Sequence, residues 1–99
     1  MPVEKLVINP SHPVFAGHFP GHPIVPGAML LDRAQQLIES AEGVSLAGLA
    51  QAKFFSIAQP GDPLLLDYDA SHGAVRFTIR CGERVVASGR FQLHSGAQA

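Results

Sequence analysis

The sequence predicts an α+β domain in which one long helix lies against a curved antiparallel sheet. Three observations carry that expectation. One stretch repeats its apolar side chains at helical spacing. The C-terminal half alternates apolar and polar residues between short turns. Between the first strand and the helix runs a segment too rich in proline and glycine to be either. With 99 residues, 46% of them hydrophobic and 15% charged, the chain has room for one core. A single domain over residues 1–94 is expected, with Ser95 to Ala99 a frayed tail.

Leu6 to Ile8 reads as a short opening strand. Five of the eight prolines then fall between Pro10 and Pro26, interleaved with Gly17, Gly21 and Gly27. Each proline fixes φ, lacks a backbone donor and restricts the residue before it. The segment must therefore be a stiff, shaped loop, and structureless loops of such length in a compact domain are usually functional. From Ala28 to Glu42, Leu30, Leu31, Ala34, Leu37, Ile38 and Ala41 form one apolar stripe. At 1.5 Å per residue this helix is about 22 Å long. Pro26 and Gly27 precede its first turn and Gly43 suits its end.

Leu49 to Ile57 reads as a long strand closed by Gln59-Pro60-Gly61-Asp62. Leu64 to Ala70 and Ala74 to Arg80 flank the turn Ser71-His72-Gly73 as a hairpin. Arg84 to Leu93 follows the turn Cys81-Gly82-Glu83. Val75, Phe77 and Ile79 point to one face, Arg76, Thr78 and Arg80 to the other, so the sheet has a buried and a wetter side.

Seven basic and eight acidic side chains leave a net charge of −1, which gives no global field to draw nucleic acid or anionic lipid. No apolar run approaches the roughly 18 residues needed to cross a bilayer, and Met1 to Pro10 lacks the apolar core of a signal peptide. A lone cysteine, Cys81, forms no intrachain disulfide and fits a reducing, cytoplasmic setting. A chain this small buries only about 60–70% of its unfolded surface, so a deep pocket is more easily shared between two copies than held within one.

The chemistry sits in Gly17-His18-Phe19-Pro20-Gly21-His22-Pro23-Ile24-Val25-Pro26-Gly27-Ala28-Met29-Leu30-Leu31-Asp32. It joins an imidazole on a rigid loop, a carboxylate in the first turns of a helix, and the unpaired amides of a helix start between them. Those are a proton acceptor, a proton donor and an anion-stabilising dipole for a carbonyl substrate.

This run resembles the signature of the β-hydroxyacyl-acyl-carrier-protein dehydratases of fatty acid synthesis, which share the hotdog fold. Gly17-His18-Phe19, a following Pro-Gly and Asp32 on the central helix match it in type and spacing, and Ala52-Lys53-Phe54 and Pro60-Gly61-Asp62 are similar to the family's later strand and turn. The loop resembles the branch that carries Glu as acid, whereas Asp32 resembles the branch that also isomerises its product. The resemblance implies that His18 is the base, that Asp32 is the acid, and that Gly27 and Ala28 hold the thioester oxygen. It also implies that each site takes its histidine from one subunit and its acid from the partner of a homodimer. On a helical wheel Asp32 lies roughly opposite the Leu30/Ala34/Leu37/Ala41 stripe, which would turn it toward such a partner. The chain departs from the family pattern in lacking its longer N-terminal stretch and in carrying Arg33 after the acid. Arg33 could pair with Asp32 or reach an acidic carrier protein.

The other candidates have plainer readings. His22 shapes the loop. His12, His18 and His22 are not expected to form a metal site, because Pro20 and the glycines deny them one helical face. Phe15 and Phe19 pack, with Phe19 also placed to line an acyl channel. Arg76, Arg80 and Arg90 share a strand face with Asp67 and Asp69, where cross-strand ion pairs are the plain expectation and docking of an acidic carrier protein the sharper one. Cys81 has no activating neighbour in sequence.

The expected function is a lyase that dehydrates a 3-hydroxyacyl thioester, on acyl carrier protein or coenzyme A, to the trans-2-enoyl thioester. It needs no cofactor, since the thioester itself acidifies the α-carbon. A hotdog thioesterase, which would release free thiol, and a non-catalytic acyl-binding or assembly subunit are the competing readings.

Overall fold

A computed structural model describes residues 2–9, 24–71 and 73–93. Among them the chain forms β1 (Val3–Leu6), α1 (Gly27–Glu42), β2 (Leu46–Phe54), β3 (Leu64–Ser71), β4 (Ala74–Cys81) and β5 (Arg84–Leu93). The strands make one antiparallel sheet in the order β1-β3-β4-β5-β2, with α1 against one face. The expected α+β arrangement is the one observed. The loop carrying His12, Phe15, His18, Phe19 and His22 lies outside the described residues, as do residues 94–99.

The helix spans 16 residues, about 24 Å at its ordinary rise. Pro26 sits just before it without a side-chain cap, and Gly43 ends it in the left-handed conformation, φ 67°, its amide donating to the Glu39 carbonyl at 2.9 Å. Leu30, Ala34 and Ile38 are the buried row, at four-residue spacing. Ala41, expected in the stripe, is exposed. The next four-residue step is Glu42, also exposed, whose carboxylate accepts a 2.7 Å hydrogen bond from the Tyr68 hydroxyl. Glu39 accepts the Leu46 amide at 2.8 Å and ties the helix to the start of β2.

Against that row stand Leu64, Leu66 and Tyr68 of β3, Val75, Phe77 and Ile79 of β4, and Phe91 of β5, all buried. Phe77 and Phe91 stack with centroids 4.8 Å apart. The β4 alternation is as expected from sequence, with Arg76 exposed.

Two strands are displaced from expectation. β1 lies three residues earlier than expected, because its pairing ends at Leu6 opposite Leu64 and Pro63 just before Leu64 has no amide to extend the ladder. β2 runs three residues earlier than Leu49 to Ile57. Beyond Phe54 the amides of Phe55 and Ser56 both turn onto the Val86 carbonyl, at 2.8 and 3.3 Å, so regular pairing stops. There β5 carries an extra residue, since Ile79 pairs with Ala87 but Arg80 with Val85. That bulge turns Val86 inward beside Ala87, and both are fully buried.

Candidate active site

The start of α1 follows from Pro26, whose carbonyl accepts the amides of Met29 and Leu30 at 3.0 and 3.2 Å. The amides of Gly27 and Ala28 have no acceptor among the described residues and open the helix toward solvent, where its macrodipole is positive. Gly27 is needed there for a second reason. A Cβ on it would lie 2.7 Å from the Phe54 ring of β2, which rests against the helix start. Gly27 and Phe54 share a hollow of about 300 Å³ with Ile24, Leu30 and Ile57.

Asp32 stands roughly 6–8 Å further along the axis at 1.5 Å per residue. It is exposed, on the side of the helix away from the buried row, as its helical position implies. It lines a different hollow, of about 460 Å³, with Val7, Ile8, Asn9, Met29, Arg33 and Gln36. Within one protomer Gly27 and Asp32 therefore line separate concavities along the same helix. Among the described residues Arg33 forms no ion pair with Asp32. Its guanidinium donates to the Gln36 side-chain oxygen at 3.1 Å, and the Gln36 amide donates to Asp32 Oδ2 at 3.3 Å. Gln36 was not singled out from sequence, although its place four residues after the acid, on one helix face, was a signal for it. His18 and Phe19, the expected base and channel residue, fall outside the described residues. The described residues contain no cluster of metal-ligating side chains.

The opposite face of the sheet is cationic. Arg76 of β4 lies directly across from Arg90 of β5, and Lys53 of β2 pairs with Ser88 beside them. Gln51, Lys53, Arg76, Thr78, Ser88 and Arg90 line a shallow hollow of about 400 Å³. The ion pairing expected across these strands occurs only between Arg80 and Asp67 among the described residues, and the Arg80 hydrogen bond holds the Asp67 carboxyl below the usual carboxylate range. Arg84 lies 3.8 Å from Asp62 and donates to the Ile57 carbonyl at 2.7 Å, pinning the β2–β3 connection. Arg76 and Arg90 are left unpaired among the described residues, although like charges facing each other across a ladder are destabilising.

A long helix laid on a curved antiparallel sheet in this strand order defines the hotdog class. The chain matches the ApeI-like family, described as ApeI dehydratase, over residues 3–90. A relative from Syntrophomonas wolfei, 3-hydroxyacyl-(acyl-carrier-protein) dehydratase FabZ, is 32% identical over 95% of this chain and 74% of its own length. The protein of the same name from Chloroflexus aggregans is 41% identical over 65% of this chain, and the match spans half of that relative. Among solved structures, the dehydratase heterocomplex ApeI:P from Xenorhabdus doucetiae matches with a TM-score of 0.77 at 26% identity, over 92% of this chain and 84% of that one. An uncharacterised protein from Erwinia carotovora subsp. atroseptica matches with a TM-score of 0.69, also at 26% identity, over 93% of this chain and 79% of that one. The chain belongs to the ApeI-like dehydratase family.

Proposed function

We propose that this chain removes water from a 3-hydroxyacyl thioester, held on acyl carrier protein or coenzyme A, to give the trans-2-enoyl thioester. The observation that carries the reading is the pair of unpaired Gly27 and Ala28 amides on the same helix as the exposed carboxylate of Asp32. The thioester carbonyl oxygen accepts from those amides, and its growing negative charge as the α-proton leaves is met by fixed donors and the positive end of the helix. His18 takes the α-proton. The electron pair of that C–H bond becomes the second bond between the α- and β-carbons, the β-carbon–oxygen bond breaks, and Asp32 gives its proton to the departing hydroxyl, which leaves as water. The enzyme is then returned to its starting state by proton transfer from the imidazolium to Asp32. Phe19 lines the acyl channel beside the base.

Asp32 and Gly27 of one protomer line separate hollows, which supports a site completed across two copies, His18 of one protomer facing Asp32 of its partner. The long unpaired edge of β2 favours the same arrangement. A relative named as an acyl-carrier-protein dehydratase makes an acidic carrier the natural donor, and the cationic face of Lys53, Arg76 and Arg90 offers it a complementary docking surface. The setting is cytoplasmic. No described helix is long and apolar enough to cross a membrane.

Incubation with 3-hydroxyacyl and with plain acyl thioesters tests the reading. Enoyl absorbance should rise with the first, with no thiol released from either. His18→Ala and Asp32→Asn should each lower that rate by at least about a hundredfold, the ordinary worth of a placed acid or base. Thiol release in place of enoyl would make the chain a thioesterase. Binding without turnover would make it an assembly subunit.

A further inference from the structure

We infer, on the reading of Gly27 and Ala28 as donors to the thioester oxygen, that Arg84 is a positioning residue for those amides. It acts through the β2–β3 connection. Val25, just before Pro26, is buried and donates its amide to the Ala58 carbonyl at 2.8 Å. That bond ties the chain entering α1 to the connection. Pro26 follows with φ at −59°, a torsion its ring keeps from swinging, so the place of Val25 is passed on to Gly27. Ala58 is held in turn by what grips its neighbours. Nη1 of Arg84 donates to the Ile57 carbonyl at 2.7 Å and to Ser56 Oγ at 3.0 Å. Ser56 Oγ donates onward to the Val85 carbonyl at 2.9 Å. Nη2 of Arg84 lies 3.8 Å from Asp62, which accepts the Gln59 amide at 2.8 Å. One side chain at the start of β5 therefore clasps the connection on both sides of Ala58, using the planar fork that only a guanidinium has. Phe54 and Ile57 wall the hollow that Gly27 lines, and Arg84 is not among its lining residues. Arg84 thus works at a distance, through backbone it holds. Donors stabilise a growing negative charge only when they are already in place, and this clasp fixes them before substrate arrives.

Infrared spectra of a saturated acyl-coenzyme A, isotopically labelled at its thioester carbonyl, test this together with dehydration kinetics. A saturated acyl group has no hydroxyl to lose, so its bound carbonyl reports the donors alone. In the wild type the carbonyl band should move to lower wavenumber on binding, because accepted hydrogen bonds polarise the C=O bond. Arg84→Met should lose a large part of that displacement. It should also lower kcat about tenfold with KM within about twofold, less than the hundredfold or more expected for a donor removed outright. Arg84→Lys, which keeps charge and donors without the fork, should recover part of both. Ser56→Ala is the milder cut, and its effect on kcat should not add to that of Arg84→Met. Thermal midpoints report folding, and where Arg84→Met does not fold, Ser56→Ala and Arg84→Lys carry the test. If the variants that fold keep both the band displacement and kcat, or lose kcat with the band displacement intact, Arg84 does not position the amides. If the wild-type band does not move at all, the Gly27 and Ala28 amides are not the donors to the thioester oxygen, and that reading falls instead.

Discussion

Tyr68 is nearly all buried, yet its hydroxyl reaches the end of the helix and donates to Glu42 at 2.7 Å. Burial, and then the hydrogen bond to that carboxylate, push its pKa from 10.0 up to about 12. The consequence for stability has a definite sign. An unfolded tyrosine ionises near 10 while the folded one holds its proton, so the stabilising contribution is whole below about pH 10 and is lost as pH rises toward 12. Tyr68→Phe should cost about 1 kcal/mol at pH 8, the net worth of a hydrogen bond whose acceptor can return to water. It should also flatten the alkaline loss. Denaturant unfolding of both proteins at pH 8 and pH 11 measures this, and an equal alkaline loss in the two would assign it to another group. The same residue shows what sequence spacing hides. A phenol on an apolar strand face reads as core, but its partner 26 positions away, at the end of another element, is set only by how the helix lies on the sheet.

At the scale of elements, Gly89 decides how tightly the sheet closes. A Cβ there would fall 2.2 Å from the Gln51 carbonyl oxygen of β2 and 2.9 Å from the Phe77 ring. The first neighbour is backbone and cannot swing away, so Gly89→Ala must push β2 from β5. The expected loss is about 2–3 kcal/mol, as for an overpacked core, read as a lower denaturation midpoint at unchanged m-value. Wild-type stability in that variant would mean the strands separate there at little cost. The elements themselves were legible because their signals are local. Alternation in β4, the turn at Cys81-Gly82-Glu83 and the period of α1 each lie within one stretch of chain. The boundaries that moved were set by partners. β1 ends where its neighbour begins with Pro63, and β2 ends where the Val86 bulge collects two amides on one carbonyl. The same divide runs through the site. The donors of Gly27 and Ala28 and the outward turn of Asp32 follow from helix geometry alone, whereas the unpaired state of Arg76 and Arg90 depends on cross-strand register that alternation leaves open.

For the whole molecule, the open question of energy lies at the β2 edge of the sheet. β1, the other edge, is four residues long, while β2 runs for nine and pairs only with β5 among the described residues. Leu49 is 45% exposed in β2, and Phe55 and Ile57 just beyond it are 59% and 60% exposed. A long edge with unpaired backbone groups and large apolar side chains is what natural sheets avoid unless another strand covers it. The edge also carries Phe54 against the helix start, so whatever covers β2 comes close to the Gly27 amide. A second copy seated there would bury the edge. Leu49→Lys and Phe55→Lys alter exposed side chains and so leave the protomer fold intact, but each sets a charge on the joining surface. On the proposed reading of a site shared between two copies, the wild-type protein should sediment as two copies and the double variant as one, with dehydration lost in parallel. A double variant that is a single copy yet fully active would show that one protomer holds a complete site. A wild-type chain that is a single, inactive copy until a different chain is added would assign the edge to an unlike mate.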